Sequence, residues 1–403
     1  MFLGLDRPVE YGVPWAVPPA TRRSWLRSGD LRIAYIYENE DSSTFRYRIF
    51  NMVEALRAGA GRTVAASWFT RMDFQTDQSF VDDCDVLVVC RTRYDATVGR
   101  LLERAHSRDV LVVFDVDDLI VDPRYVHYVM DALAVPTSDE RNWDYWFAYV
   151  GRLRATLDLC HASIATTETL AGHIRDVTGK ACATLPNFLN RRQTEVSSVL
   201  TEHKQARRYE RNDEVTVGFL SGSPTHQRDF EVALPALAAA MDRHRSMRLQ
   251  IVGHINPCSA LDRHSDRVEF LPLQDFLNLQ RLVARCEFCI VPLALNEFSN
   301  CKSELKFFEA GIVDCPIVAS PIPAYADAIS EGVDGFLAFS HEWHERIEQT
   351  FRLAEGGQDS YLEVARAARH TSLTRYAWDQ QADRIVDTIA GLQSERPHRA
   401  TGR

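Results

Sequence analysis

Short apolar runs, each bounded by polar turns and most of them separated by helical patterns, limit this chain to very few architectures. The first series is Leu31 to Tyr37, Thr63 to Trp68, Asp85 to Cys90, Val110 to Phe114, Ala162 to Ala165 and Cys182 to Leu185. The second is Glu214 to Leu220, Met247 to Gly253, Val268 to Leu271, Phe288 to Val291, Ile317 to Ala319 and Gly335 to Ala338. Strands that alternate with helices build a parallel sheet covered on both faces. The predicted fold is α/β: two Rossmann-like doubly wound parallel-sheet domains facing across a cleft. Between the series, RRQTEVSSVLTEHKQARRYERND offers little to bury and reads as a linker. The expected organisation is an N-terminal extension over 1–30, a first domain over 31–190, a linker over 191–212 and a second domain over 213–371. A final helical pattern runs over 372–392, and a tail occupies 393–403.

The 403 residues, 45% apolar and 25% charged, suit two globular domains. A net charge of −10 argues against a general nucleic-acid binder, which needs a basic excess. Nine cysteines, scattered through buried runs, favour reduced thiols and hence a cytoplasmic location. Cys286 and Cys289 form a C-x-x-C without a second pair at zinc-ligand spacing. No run of 18 apolar residues occurs, and MFLGLDRPVEYGVPW lacks the apolar core of a signal peptide. Trp15, Arg22, Arg23, Trp25, Leu26 and Arg27 mix aromatic and basic groups. One reading is peripheral contact with the anionic inner face of a membrane, where a lipid-linked acceptor would be found. The other is packing on the chain's own domain.

The stretch NEFSNCKSELKFFEAGIVDCPIVASP, Asn296 to Pro321, carries the chemistry. On one helix, Lys302, Lys306 and Glu309 at i, i+4 and i+7 share a face, with Leu305, Phe308 and Ile312 opposite. Lysines at a helix start suit a polyanion, and a carboxylate two turns on suits vicinal hydroxyls such as those of ribose. Together they describe a nucleotide diphosphate; a solvated, charge-complementary face is the alternative. Upstream, VTVGFLSGSPTHQRDFEVALPAL runs strand, small-residue turn, helix, with Gly222 allowing close backbone approach to phosphate. It does not match the G-x-G-x-x-G fingerprint.

The element NCKSELKFFEAG followed by CPIVASP resembles the donor-binding motif of GT-B glycosyltransferases of retaining family 4 (group 1), in a lysine-serine sub-branch, with the similarity running from Leu31 to Leu392. The resemblance implies transfer of a sugar from a nucleotide diphosphate sugar to an acceptor hydroxyl, with retention and without metal. No cofactor is implied beyond that donor substrate; the acceptor is a carbohydrate, a lipid-linked molecule or a small molecule. By the resemblance Glu309 binds the ribose, and Lys302, Lys306, Asn300, Ser303, Gly222, Ser223, Thr225 and His226 line the donor. Many members carry a second glutamate eight residues before the first, where it touches the donor sugar; here that position is Cys301.

The first half is expected to hold the acceptor. Arg46, Tyr47 and Arg48 stand where a helix begins, placed to clamp a phosphate or carboxylate, or else to lie on the surface. In VLVVFDVDDLIVDP, Asp115, Asp117 and Asp118 follow a strand. They suggest a metal-binding D-x-D, the nucleophile loop of a dehalogenase-type phosphatase, or a cleft-facing turn. Leu119 two residues after Asp117, and the position of this strand as fourth in its series, favour the cleft-facing turn. Asp117 is then assigned to the reacting centre, with Asp115 and Asp118 near the acceptor. Aspartates that merely cap the strand end are the structural alternative. A nucleotide-sugar epimerase of the same architecture and a catalytically silent nucleotide-binding subunit remain open alternatives.

Overall fold

The computed structural model describes residues 1–27, 29–41, 43–59, 64–223, 226–356 and 358–396. Two parallel sheets of six strands form the scaffold. The first holds β1 (Leu31–Tyr37), β2 (Val64–Thr70), β3 (Val86–Cys90), β4 (Leu111–Val116), β5 (Ala162–Ala165) and β6 (Cys182–Thr184) in the order β2-β1-β3-β4-β5-β6. The second holds β7 (Val215–Ser221), β8 (Met247–Gly253), β9 (Val268–Leu271), β10 (Phe288–Val291), β11 (Ile317–Ala319) and β12 (Phe336–Leu337) in the order β12-β11-β10-β7-β8-β9. Every strand coincides with one of the predicted apolar runs to within two residues. The fold is the predicted one because central strands buried on both faces must read as continuous apolar runs.

The segment over 191–212 is not a free linker. Arg191–Ala206 is a helix whose N-cap, Asn190, accepts from the backbone of Gln193 at 2.7 Å. Its buried positions, Gln193, Val196, Ser197, Leu200, Thr201 and Lys204, recur at helical spacing although most of them are polar. The Lys204 ammonium donates to the backbone carbonyls of Val313 and Asp314 at 2.9 and 3.2 Å. A polar stripe buried by hydrogen bonds gives no hydropathy signal.

The N-terminal extension binds the two halves together. The Phe2 amide donates to the Arg285 carbonyl at 3.1 Å, on the second half. Trp15 packs on Phe45 and Phe50 at 5.5 and 5.3 Å and on Phe276 at 6.2 Å. Arg22 donates to the Trp68 carbonyl and pairs with Asp73, at 3.0 and 2.9 Å. Trp15, Arg22 and Leu26 are buried. Of the six groups considered for a membrane surface, Trp15, Arg22 and Leu26 are thus turned inward, Arg23 and Trp25 are half-buried and Arg27 is exposed. No helix among the described residues is long and apolar enough to cross a membrane.

Gly311 shows why the motif ends in glycine. A Cβ there would lie 2.4 Å from the Ser372 hydroxyl and 2.8 Å from the Ala368 carbonyl, both on the helix Gln358–Tyr376. The close approach seats the short helix Leu305–Gly311, which carries Lys306 and Glu309, directly on that long helix. The predicted helix over 372–392 is broken: the first ends at Tyr376, and a second, Ala382–Ser394, packs on β6 and on the helix Asn51–Ala58 of the first half. Of the tail, Arg396 is docked, pairing with Asp109 at 2.9 Å, and residues 397–403 lie outside the described ones. All nine cysteines are free thiols.

Candidate functional site

On the first half, β4 runs one residue beyond Asp115, to Val116, so Asp115 lies inside the strand and pairs in register with Cys90. The facing residues come from a wide π-helical turn, Arg46–Phe50, whose five side chains are all buried. Arg48 grips Asp115 through Nε at 2.8 Å and Nη2 at 2.7 Å, and its Nη1 donates to the Leu185 carbonyl and to Asn187 Oδ1 at 2.8 and 3.1 Å. Both members of this pair are sealed, Arg48 at 0% and Asp115 at 1% exposure. Burial lifts the Asp115 carboxyl above its usual range, against the pull of Arg48. The assignment of Arg48 and Asp115 to acceptor binding is therefore corrected. A bidentate ion pair closed on itself has neither access nor unused charge for a ligand.

Asp117 and Asp118 stand farther out, in the turn after β4. Asp117 accepts from Thr44 Oγ1 at 2.8 Å and from Arg91 Nη1 at 2.7 Å. Burial opposes its ionisation, but Arg91 and the Thr44 hydroxyl outweigh that and hold its carboxyl below the usual range. Asp118 lies 3.3 Å from the same Arg91 nitrogen and 3.9 Å from Lys302 Nζ. Asp115 thus turns to Arg48, whereas Asp117 and Asp118 share Arg91, with Lys302 on the far side of Asp118. Among the described residues no group of three or more His, Cys, Asp or Glu is arranged to hold a metal ion.

On the second half, the motif is not one continuous helix. Asn296 and Ser299 form a capping box that starts a separate short helix, Glu297–Asn300, and the next helix begins only at Leu305. Lys302 and Ser303 therefore sit in the connecting loop, and Asn300 ends the short helix. Phe308 and Ile312 are buried as expected, with Phe307 beside them. The Lys306 ammonium has no carboxylate within 4.0 Å among the described residues. Burial, reinforced by Lys302, brings its pKa down to about 8 even though Asp229 and Glu309 pull the other way.

His226 opens the helix Gln227–Arg243, which follows the turn after β7. Its Nδ1 lies 2.9 Å from Asp229 Oδ2. Asp229 also accepts from the Ala294 amide at 2.9 Å. Burial first and Lys306 next push the His226 pKa down to about 3, so the ring is neutral. A carboxylate only accepts, so Nδ1 carries the proton and Nε2 presents a lone pair. That tautomer suits a hydroxyl donor better than a phosphate oxygen. Gly222 is exposed, and a Cβ placed there would meet nothing within 4 Å. The Ser223 carbonyl accepts from the Ser221 hydroxyl at 2.9 Å. Thr225 lies outside the described residues.

The two halves meet at the Cys301–Ser303 loop. Thr167 donates to the Cys301 carbonyl at 3.1 Å and Asn187 to the Ser303 hydroxyl at 3.2 Å. Arg228 pairs with Asp131, and His173 lies 3.4 Å from Glu297. Cys301 is fully buried, packed with Phe298 into the core of the first half, and burial raises its thiol to about 12. Arg46 and Tyr47, expected near an acceptor, instead reach Glu309: Arg46 Nη2 at 3.2 Å and the Tyr47 hydroxyl in a short hydrogen bond, both to Oε1.

Thr44, Arg91, Asn187, Gln193 and Asp229 belong to this site and escaped the sequence reading. Arg91 had a usable signal, since it is the first residue after β3, at the carboxyl end of a central strand. Its φ of 39° is an outlier for a non-glycine residue. Asp229 had another, standing three residues after His226 on a helix.

Residues 214–355 match the family model Glycosyl transferases group 1. Over 140 residues the chain is 29% identical to the D-inositol 3-phosphate glycosyltransferase of Mycobacterium leprae, strain Br4923, a match covering 33% of this chain and 31% of that protein. The chain thus spans about a third of the length of the curated relatives it matches. In structure it is similar to Anabaena Alr3699/HepE in complex with UDP and glucose, with a TM-score of 0.62 and 14% identity over 89% of this chain and 99% of the other. It is also similar to the sucrose-phosphate synthase (tll1590) of Thermosynechococcus elongatus, with a TM-score of 0.58 and 16% identity over 90% and 99%. The second half is therefore similar over 214–355 to the glycosyltransferase group 1 family, and the chain as a whole has the GT-B fold.

Proposed function

We propose that the protein is a glycosyltransferase that takes a sugar from a nucleotide diphosphate sugar and places it on an acceptor hydroxyl, with retention and without a metal ion. The observation that carries this reading is the Lys306 ammonium, with no carboxylate within 4.0 Å among the described residues, beside Lys302 and a neutral histidine. Such a pair neutralises a leaving diphosphate, which is the charge a glycosyl transfer must stabilise. Glu309 accepts the ribose hydroxyls and Asp117 faces the reacting sugar. The UDP bound by the Anabaena protein makes UDP the first nucleotide to try, and the M. leprae relative makes a phosphorylated cyclitol a candidate among small-molecule, carbohydrate and lipid-linked acceptors.

Buried Cys301 favours a second reading, a catalytically silent nucleotide-binding subunit, because no carboxylate stands where the resembling enzymes hold the donor sugar. A panel of nucleotide sugars scored by thermal stabilisation, followed by product analysis, separates the two. Glycosylated acceptor with the donor's anomeric configuration, formed equally in EDTA, is the expected result. Isomerised donor alone indicates an epimerase, and stabilisation without turnover the silent subunit.

A further inference from the structure

Three donors converge on a single oxygen of Glu309. Arg46 Nη2 stands 3.2 Å from Oε1, Gln193 Nε2 3.5 Å, and the Tyr47 hydroxyl closer still. Arg46 and Tyr47 belong to the first half, and Gln193 to the helix that joins the halves. All four residues are buried, none above 5% exposure. Burial and then the Glu309 charge push the Tyr47 phenol well above its usual range, so the hydroxyl keeps its proton and acts as donor. A carboxylate is planar, so fixing one oxygen by several donors also fixes where the other points.

We propose that Tyr47 is a positioning residue for the donor nucleotide, holding Oε1 of Glu309 so that the second oxygen is presented to the ribose hydroxyls. This rests on the assignment of Glu309 to the ribose. The first half then contributes to nucleotide affinity without touching the nucleotide. A ligand with the 2′,3′-diol depends on Tyr47, and a ligand without it does not.

The test is calorimetry of the full chain with UDP and with 2′,3′-dideoxy-UDP. Tyr47→Phe keeps the ring that packs 6.4 Å from Phe308 and removes only the hydroxyl. Its UDP affinity should fall roughly tenfold, the effect of one charge-assisted hydrogen bond, while dideoxy-UDP binds as in wild type. The double variant with Glu309→Gln should bind UDP no more weakly than Glu309→Gln alone. Arg46→Lys, which breaks the guanidinium geometry but keeps the charge, should show the same diol-selective loss and covers the case in which Tyr47→Phe fails to fold. Equal losses for both ligands, or wild-type UDP affinity in Tyr47→Phe while Glu309→Gln is impaired, would overturn the proposal. Absence of UDP binding in wild type, or unchanged UDP affinity in Glu309→Gln, removes the ribose assignment itself and the proposal with it.

Discussion

The two charged clusters that face each other across the cleft are built on opposite plans. At the end of β4, Asp115 is matched by Arg48, and Asp117 and Asp118 by Arg91. Across from them, Lys306 lacks a carboxylate within ion-pair distance among the described residues, and the Lys302 ammonium is 3.9 Å from Asp118. Charge matched and sealed from solvent, as in Arg48–Asp115, holds structure, and charge left without a near partner in a half-buried place is held ready for a ligand. The cost of keeping such a charge appears in the lowered pKa of Lys306.

The largest effect expected from this contrast is on folding. Asp115→Ala leaves the sealed Arg48 guanidinium unpaired, and removing one partner of a buried pair costs about 3–5 kcal/mol. Urea denaturation measures it, and a loss under about 1 kcal/mol, the scale of an exposed pair, would break the contrast. Next comes Lys306→Ala, which should weaken UDP binding by roughly 1.5–3 kcal/mol, the range for hydrogen bonds to charged groups, while leaving stability equal or higher. Calorimetry and denaturation of the same variant check both halves of that statement.

The smallest effect is on pH dependence, and its two signs are opposite. Native Lys306 loses its proton near pH 8, whereas in the unfolded chain it does so near 10.5. Between those values the unfolded state binds more protons, so this group's contribution to stability rises with pH through that window. Anion binding needs the proton, so UDP affinity falls over the same window. Lys306→Arg, charged throughout, should flatten the affinity profile; an unchanged profile would assign the dependence to another group.

How much of this was legible follows from what each element needs. The strands were readable because β-branched and apolar residues crowd into short runs such as DVLVVC and VLVVF. Lys306 and Glu309 were readable from their spacing on one helix. The place of Lys302 was not, because the lysine and glutamate periodicity runs straight through the break over 301–304, which follows the short helix that the Asn296–Ser299 capping box starts. That box is itself a local signal, an N-cap residue three before its partner. The sealing of Arg48 against Asp115 was beyond sequence reading, since they lie 67 positions apart and only the register of β4 brings them together. The helix Arg191–Ala206 was hidden for a different reason, that Gln193, Ser197, Thr201 and Lys204 are buried by hydrogen bonding and not by apolar character.

The seam at Cys301 and Ser303 bears on how such proteins diverge and how they can be recombined. The loop that presents Lys302 is tethered by Thr167 and Asn187, which lie outside the 214–355 segment that matches the family model. A hybrid that grafts only that segment onto a foreign first half would bring the cations but leave their loop untethered. Swapping donor preference between relatives would then require the residues equivalent to Tyr47, Thr167 and Asn187 to travel with the graft.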